Sequence, residues 1–136
     1  MKFDPKYFQK TSFSRSSIKK NLENALRDYE IACKDEFKEV KFNYAYMTLI
    51  KLGVAILSTQ NMKVRSVPGH HVKLIEKIAE LLKDDTIEVI GNVMRSKRNK
   101  DFYSGGIQIT GKECNEYLDF IADVVKEAKK YIKKYT

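Results

Sequence analysis

The sequence predicts an all-α protein, an up-and-down bundle of about five antiparallel helices. Two observations lead to this prediction. With 6 Gly and 2 Pro in 136 residues, the chain lacks the turn formers that an all-β protein needs. Apolar residues also recur at three- and four-residue steps, which is typical of amphipathic helices. The length fits one domain, residues 1–136, with residues 1–13 as an N-terminal arm or a short helix.

The first two helices are predicted from a capping serine and from apolar periodicity. Helix one begins near Ser14 or Ser16, because either hydroxyl can accept a hydrogen bond from an exposed backbone N–H. An apolar stripe follows over residues 18–33. Helix two is expected over residues 35–58, and its middle, residues 44–57, is apolar on most faces. A helix of this kind is usually the central one of a bundle.

Residues 60–69 are predicted as a loop that leads into the third helix. Ser66 followed by Pro68 resembles a helix start, since proline is tolerated in the first turn. Residues 72–82 then place apolar side chains on one face, which indicates a third helix that packs against the core.

Two capping boxes predict the starts of the fourth and fifth helices. In such a box a Ser, Thr or Asp caps the helix and a Glu three positions later bonds back. Asp85 with Glu88 and Thr110 with Glu113 both fit this spacing. Residues 103–106 contain two glycines and are predicted to end helix four.

The net charge indicates which class of ligand the protein binds, and the cysteines indicate its cellular compartment. A net charge of +8 and a pI of about 9.4 favour a polyanion such as RNA, although a lysine-rich surface also serves solubility alone. Cys33 and Cys114 sit among apolar residues and are predicted to be buried, reduced thiols, which fits a cytoplasmic protein. No metal site is predicted, because the adjacent His70 and His71 have no Cys nearby. No membrane association is predicted, because the longest apolar stretch, residues 49–57, is too short and too polar to span a bilayer. No cofactor is predicted, because the sequence has no glycine-rich phosphate loop.

The segment 94–103 contains the residue types that a phosphate-binding patch requires. Arg95 and Arg98 lie three apart and so share a helix face, and a guanidinium matches the geometry of phosphate. The residues of the segment predicted to bind RNA or to act in a site are Arg95, Lys97, Arg98, Asn99, Lys100 and Tyr103. The alternative is structural, with Arg98 and Asn99 fixing the helix end by pairing with acids or loop carbonyls.

Arg98-Asn99 followed by Tyr103, before a glycine-containing loop, resembles the motif region of HEPN domains. This helical family is tied to prokaryotic RNA cleavage and to nucleotidyltransferase partners. Residues 69–75 also resemble the start of the third helix in some members. The resemblance implies a homodimer in which Arg98, Asn99 and Tyr103 of two chains share one cleft. It implies either an RNA-binding, ribonuclease-like domain of toxin–antitoxin type or a non-catalytic module that pairs with a nucleotidyltransferase-like protein.

The sequence departs from that family at Tyr103, where the catalytic members have His. The reference pKa of Tyr is about 10 and that of His about 6.5, so Tyr is a poor proton exchanger at neutral pH. His70 or His71 can approach Arg98 in the folded bundle and supply the missing imidazole. The alternative for this pair is a polar feature at a helix start, and the spacing from Arg65 to the histidines arises easily by chance.

Two further groups have a functional and a structural interpretation. The C-terminal lysines share a helix surface that suits a phosphate backbone, but cations near a helix C-terminus also complement its dipole. The tyrosines of helices two and five are predicted to serve packing. These groups are Lys126, Lys129, Lys130, Lys133, Lys134, Tyr44, Tyr46, Tyr131 and Tyr135.

Overall fold

Five helices build the described part of the chain and confirm the all-α bundle. The structure is a computed structural model that describes the backbone of residues 2–104 and 109–136 and the side chains of residues 2–100 and 109–136. The elements are β1 (Phe8–Lys10), α1 (Arg15–Lys34), α2 (Lys38–Thr59), β2 (Met62–Val64), α3 (His70–Leu82), α4 (Asp85–Ser104) and α5 (Gly111–Lys133).

Helix α2 is the central helix, as its apolar composition predicts. It packs against α1, α3 and α5 and more lightly against α4. Its largest buried side chains include Phe42, Tyr46 and Leu49. Among the described helices, α2 alone is long and apolar enough to cross a membrane. However, 61% of its most apolar segment is buried inside the bundle, and the core helix of a bundle is often equally long and apolar.

Two of the predicted helix starts are confirmed by their hydrogen bonds. The Ser14 hydroxyl accepts from the Ser17 N–H at 3.1 Å and caps α1. At α5 both bonds of the box form, since Glu113 N–H donates to Thr110 Oγ1 at 3.1 Å and Thr110 N–H donates to Glu113 Oε1 at 3.2 Å. Each cap pairs N–H groups that have no partner inside the helix.

The starts of α2, α3 and α4 differ from the prediction by one to three residues, and α2 begins at Lys38 and not at residue 35. Asp84, not Asp85, precedes α4, and its carboxylate accepts from the Thr86 N–H at 3.0 Å. Helix α3 begins at His70 after Gly69, which has a φ of +80°. Glycine adopts this backbone conformation without the penalty that a Cβ brings, so Gly69 turns the chain into α3.

A two-stranded antiparallel sheet fastens the N-terminal segment to the bundle. Phe8 pairs with Val64, and the buried Phe8 side chain joins the core. Beside the strands, Arg65 donates from Nε to the Pro5 carbonyl at 2.9 Å. The prediction of a plain loop over residues 60–69 is therefore wrong at β2.

The two cysteines have different environments. Cys114 is buried, as predicted, whereas Cys33 is exposed, and both are free thiols. In the second half of α1 the buried positions are Ala25, Asp28 and Ala32, at three- and four-residue steps. Cys33 lies one position past this face, so the prediction of a buried thiol is wrong there.

Candidate functional site

Three helices bring a tyrosine, a histidine and an arginine together at one end of the bundle. Tyr46 of α2 has a fully buried side chain. Its hydroxyl lies 2.9 Å from Nδ1 of His71 in α3. The guanidinium carbon of Arg98 in α4 lies 5.4 Å from the centre of the Tyr46 ring. We call these three residues the Tyr46 cluster.

The α3–α4 hairpin explains why residues far apart in sequence meet here. The two helices pack against each other and are joined only by Lys83 and Asp84. A short connection makes neighbouring helices antiparallel. The first turn of α3, with His71, therefore lies beside the last turns of α4, with Arg98.

His71 is neutral at pH 7. Burial, followed by the nearby His70, Arg98 and Arg95, lowers the pKa of His71 from 6.5 to about 4. Each of these factors disfavours a second positive charge in a partly desolvated place. The hydrogen bond with Tyr46 fixes the ring position, and the direction of donation depends on the tautomer.

Tyr46 keeps its phenolic proton at neutral pH. Burial raises the pKa of Tyr46 to about 12, and the positive charges of Arg98 and Arg95 oppose this rise. The ring offers its face to a cation, an arrangement that stabilises a guanidinium by roughly 0.5–2 kcal/mol depending on desolvation. Tyr46 therefore acts as a neutral support for both His71 and Arg98.

His70 has a structural role at the start of α3. Its Nδ1 lies 2.8 Å from the Val67 carbonyl, and its ring centre lies 4.4 Å from that of His71. The two adjacent histidines therefore have different contacts. His70 contacts the loop before α3, and His71 contacts Tyr46.

The structure brings some of the predicted RNA-binding residues to the cluster. Arg95 and Arg98 are both half-buried and both lower the pKa of His71, so they share a face as the three-residue spacing predicts. Arg95 Nε donates to Asn92 Oδ1 at 3.2 Å. Among the side chains that the structure describes, neither arginine forms a salt bridge with an acid.

The remaining predicted residues of this segment lie around the cluster or outside the described side chains. Lys97 is half-buried and its ammonium lies 3.4 Å from the Glu113 carboxylate of α5. Asn99 and Lys100 are exposed on α4. The backbone of Tyr103 belongs to α4, but its side chain lies outside the described residues.

The other candidate groups lie away from the cluster. Four of the C-terminal lysines are exposed on α5, namely Lys126, Lys129, Lys130 and Lys133. Arg65 donates a hydrogen bond to the Pro5 carbonyl and is not part of the Tyr46 cluster. Its spacing to His70 and His71 in the sequence therefore does not mark a site. The ammonium of Lys134 lies 5.4 Å from the centre of the Tyr131 ring. The Tyr131 and Tyr135 hydroxyls accept from Gln60 Nε2 at 2.9 and 3.2 Å, so both serve packing of α5 on the end of α2.

Comparisons with known proteins leave the cluster to be interpreted from its own geometry. No family model matches the chain, and no curated protein or solved structure matches it either.

Sequence reasoning missed Tyr46 as part of the site. The residue lies in the most apolar helix and therefore looks like a packing residue, which is also how its ring behaves. A buried tyrosine hydroxyl nearly always has a hydrogen-bond partner, and the sequence offers His70 and His71 as candidates. Only the packing of α3 on α2 shows that His71 is the partner.

Proposed function

We propose that the chain binds RNA through the α4 face that carries Arg95 and Arg98, as a HEPN-like helical domain. The observation that supports this proposal most strongly is the state of Arg98. Its guanidinium rests on the Tyr46 ring and has no acidic partner among the described side chains. Arg98 is half-buried, so its charged head is close enough to solvent to meet a ligand while its stem stays packed.

The support under Arg98 orders the guanidinium before a ligand arrives. The cation–π contact with the buried ring restricts the long side chain, so less rotamer entropy is lost on binding. The planar fork then matches two phosphate oxygens. Arg95 adds a second cation on the same face, and the exposed Lys100 extends the positive surface towards the end of α4.

The cluster favours binding over cleavage. A general acid or base works best when its pKa lies near the working pH. The pKa of His71 is about 4 and that of Tyr46 about 12. His71 approaches Arg98 as the sequence suggests, but it is a weak base and is not available as an acid at pH 7. The choice of RNA over DNA rests on the HEPN resemblance of residues 98–103.

Binding of labelled single-stranded RNA, measured by fluorescence anisotropy over a range of salt concentrations, tests the proposal. Arg98→Ala should weaken binding about tenfold at low salt and reduce the salt slope by about one. Arg98→Lys keeps the charge but loses the fork, so we expect an intermediate affinity. Lys129→Ala, an exposed residue of α5, is the control for a cation removed elsewhere.

A second readout places the RNA at the cluster itself. A phosphate bound between Arg95 and Arg98 offsets the charges that lower the pKa of His71, so this pKa should rise on binding. An unchanged His71 pKa with equal losses in Arg98→Ala and Lys129→Ala would contradict the proposal. RNA cleavage that Arg98→Ala abolishes would show a nuclease. Absence of binding by all variants would leave pairing with a nucleotidyltransferase-like protein as the better account.

A further inference from the structure

The buried hydroxyl of Tyr46 has one hydrogen-bond partner among the described residues, Nδ1 of His71 at 2.9 Å. Tyr46 is 0% exposed, so bulk water does not reach this hydroxyl. A buried O–H group that finds no acceptor is strongly destabilising. Because the phenol keeps its proton at neutral pH and Nδ1 is the acceptor beside it, Tyr46 donates and His71 accepts.

Donation by Tyr46 fixes the tautomer of His71. A neutral imidazole has one nitrogen that accepts and one that donates. Since Nδ1 accepts, the ring proton is on Nε2, which points away from Tyr46 and has no hydrogen-bond partner in the part of the chain that the structure describes. No buried side-chain nitrogen or oxygen there lacks a partner, so Nε2 is in contact with solvent. His71 therefore presents an N–H donor at the surface.

The neighbouring His70 has the opposite tautomer. Its Nδ1 lies 2.8 Å from the Val67 carbonyl oxygen, and a carbonyl oxygen can only accept. The proton of a neutral His70 ring is therefore on Nδ1, and its Nε2 is an acceptor. Of the two adjacent rings, only His71 offers a donor from Nε2.

The Nε2–H donor of His71 lies beside two other groups that only donate. The charges of Arg98 and Arg95 both lower the pKa of His71, so both guanidinium groups are close to the ring. A guanidinium has N–H groups and no acceptor. This surface therefore offers donors alone, which suits an oxygen that only accepts, such as a phosphate oxygen. A base edge often combines donors with acceptors and matches such a surface less well.

We propose that His71 is a phosphate-binding residue whose Nε2–H donates to a phosphate oxygen held by Arg98, and that Tyr46 is the positioning residue that keeps this proton on Nε2. The inference rests on the proposed RNA binding and adds a neutral donor to the two cations. Contacts to phosphate carry no sequence information. We therefore expect RNA strands of different sequence to bind this site with similar affinity.

¹⁵N NMR of the full chain at about pH 8, above the reference pKa of histidine, tests the tautomers, since the protonated and unprotonated nitrogens of a neutral imidazole have well-separated shifts. The proton should be on Nε2 in His71 and on Nδ1 in His70. Tyr46→Phe keeps the ring beneath Arg98 but removes the hydroxyl, so His71 alone should change to a mixture of both tautomers. A wild-type His71 with its proton on Nδ1 would overturn the proposal, and so would a His71 pattern that Tyr46→Phe leaves unchanged.

RNA affinity tests the donor itself. His71→Asn places an amide oxygen near the position of Nδ1, where it accepts from Tyr46, but has no group at the position of Nε2. Loss of a hydrogen bond to a charged oxygen should raise the dissociation constant for single-stranded RNA about tenfold. The salt slope should stay unchanged, because no charge is removed. His70→Asn still donates to the Val67 carbonyl, so this matched control should bind like wild type.

The outcomes separate this inference from RNA binding as such. Binding that Arg98→Ala weakens and His71→Asn leaves intact would overturn the role of His71 while RNA binding stands. Equal losses in His71→Asn and His70→Asn would show an effect of packing at the start of α3 and contradict the donor. Absence of RNA binding by wild type would overturn both proposals, whichever tautomers are found.

Discussion

Because His71 is held neutral in the folded protein, part of the folding free energy depends on pH between about 7 and 4. The unfolded chain has a His pKa near 6.5, while the folded pKa of His71 is about 4. As the pH falls below about 6.5, this histidine therefore binds a proton in the unfolded state but stays neutral in the folded state. The contribution of His71 to stability is complete above this pH and is lost as the pH falls towards 4.

The size of this loss follows from the two pKa values. The difference between 6.5 and about 4 corresponds to roughly 3 kcal/mol if the ring is fully shielded. His71 is only half-buried, so solvent screening reduces the expected loss to about 1–2 kcal/mol. The titratable and charged groups that face the ring are His70 of α3 and Arg98 and Arg95 of α4, and all three lower the pKa of His71.

Urea unfolding of wild type and His71→Gln at pH 7 and at pH 4.5 measures this loss. Glutamine retains hydrogen bonding to Tyr46 but does not titrate in this range. The free energy of unfolding of wild type should therefore fall by about 1–2 kcal/mol more than that of the variant. Titrating carboxylates affect both proteins alike, so they cancel in this difference.

The pKa itself is accessible by NMR. The chain contains 2 histidines, so the spectrum of His70→Gln assigns both rings. A pKa of His71 at or above 6.5, or equal pH dependence of wild type and His71→Gln, would refute the reasoning.

Two substitutions test packing and charge in the interior. A Cβ at Gly53 would lie 2.7 Å from Ile78 Cδ1. Gly53→Ala should therefore lower the free energy of unfolding by about 1–3 kcal/mol, despite the better helix propensity of alanine. Unchanged thermal stability would show that α3 can move to accommodate the methyl group without cost. Asp28 is 3% exposed and lies 2.8 Å from the Lys51 ammonium, so Asp28→Asn should lower the free energy of unfolding by about 2 kcal/mol. Glu30→Gln, which removes the charge of an exposed ion pair, is the control. If both changes lower the free energy of unfolding equally, burial of the Asp28 ion pair does not determine its effect.

The helices could be predicted from sequence because their signals are local. The Ser14 cap and the Thr110–Glu113 box involve residues within one turn, and the apolar periodicity spans each helix. The β1–β2 pair could not be predicted in this way. Each strand has 3 residues, too few for an alternating pattern, and the pairing joins segments about fifty residues apart.

The candidate site could be predicted only in part for a related reason. Short motifs within their own helices point to Arg98 and His71 as candidates. Tyr46 contacts both residues, yet it lies among apolar residues in the sequence. Its ring is buried in the core like theirs, so it looks like a packing residue. Its contacts with His71 and Arg98 become visible only when α2, α3 and α4 are placed together.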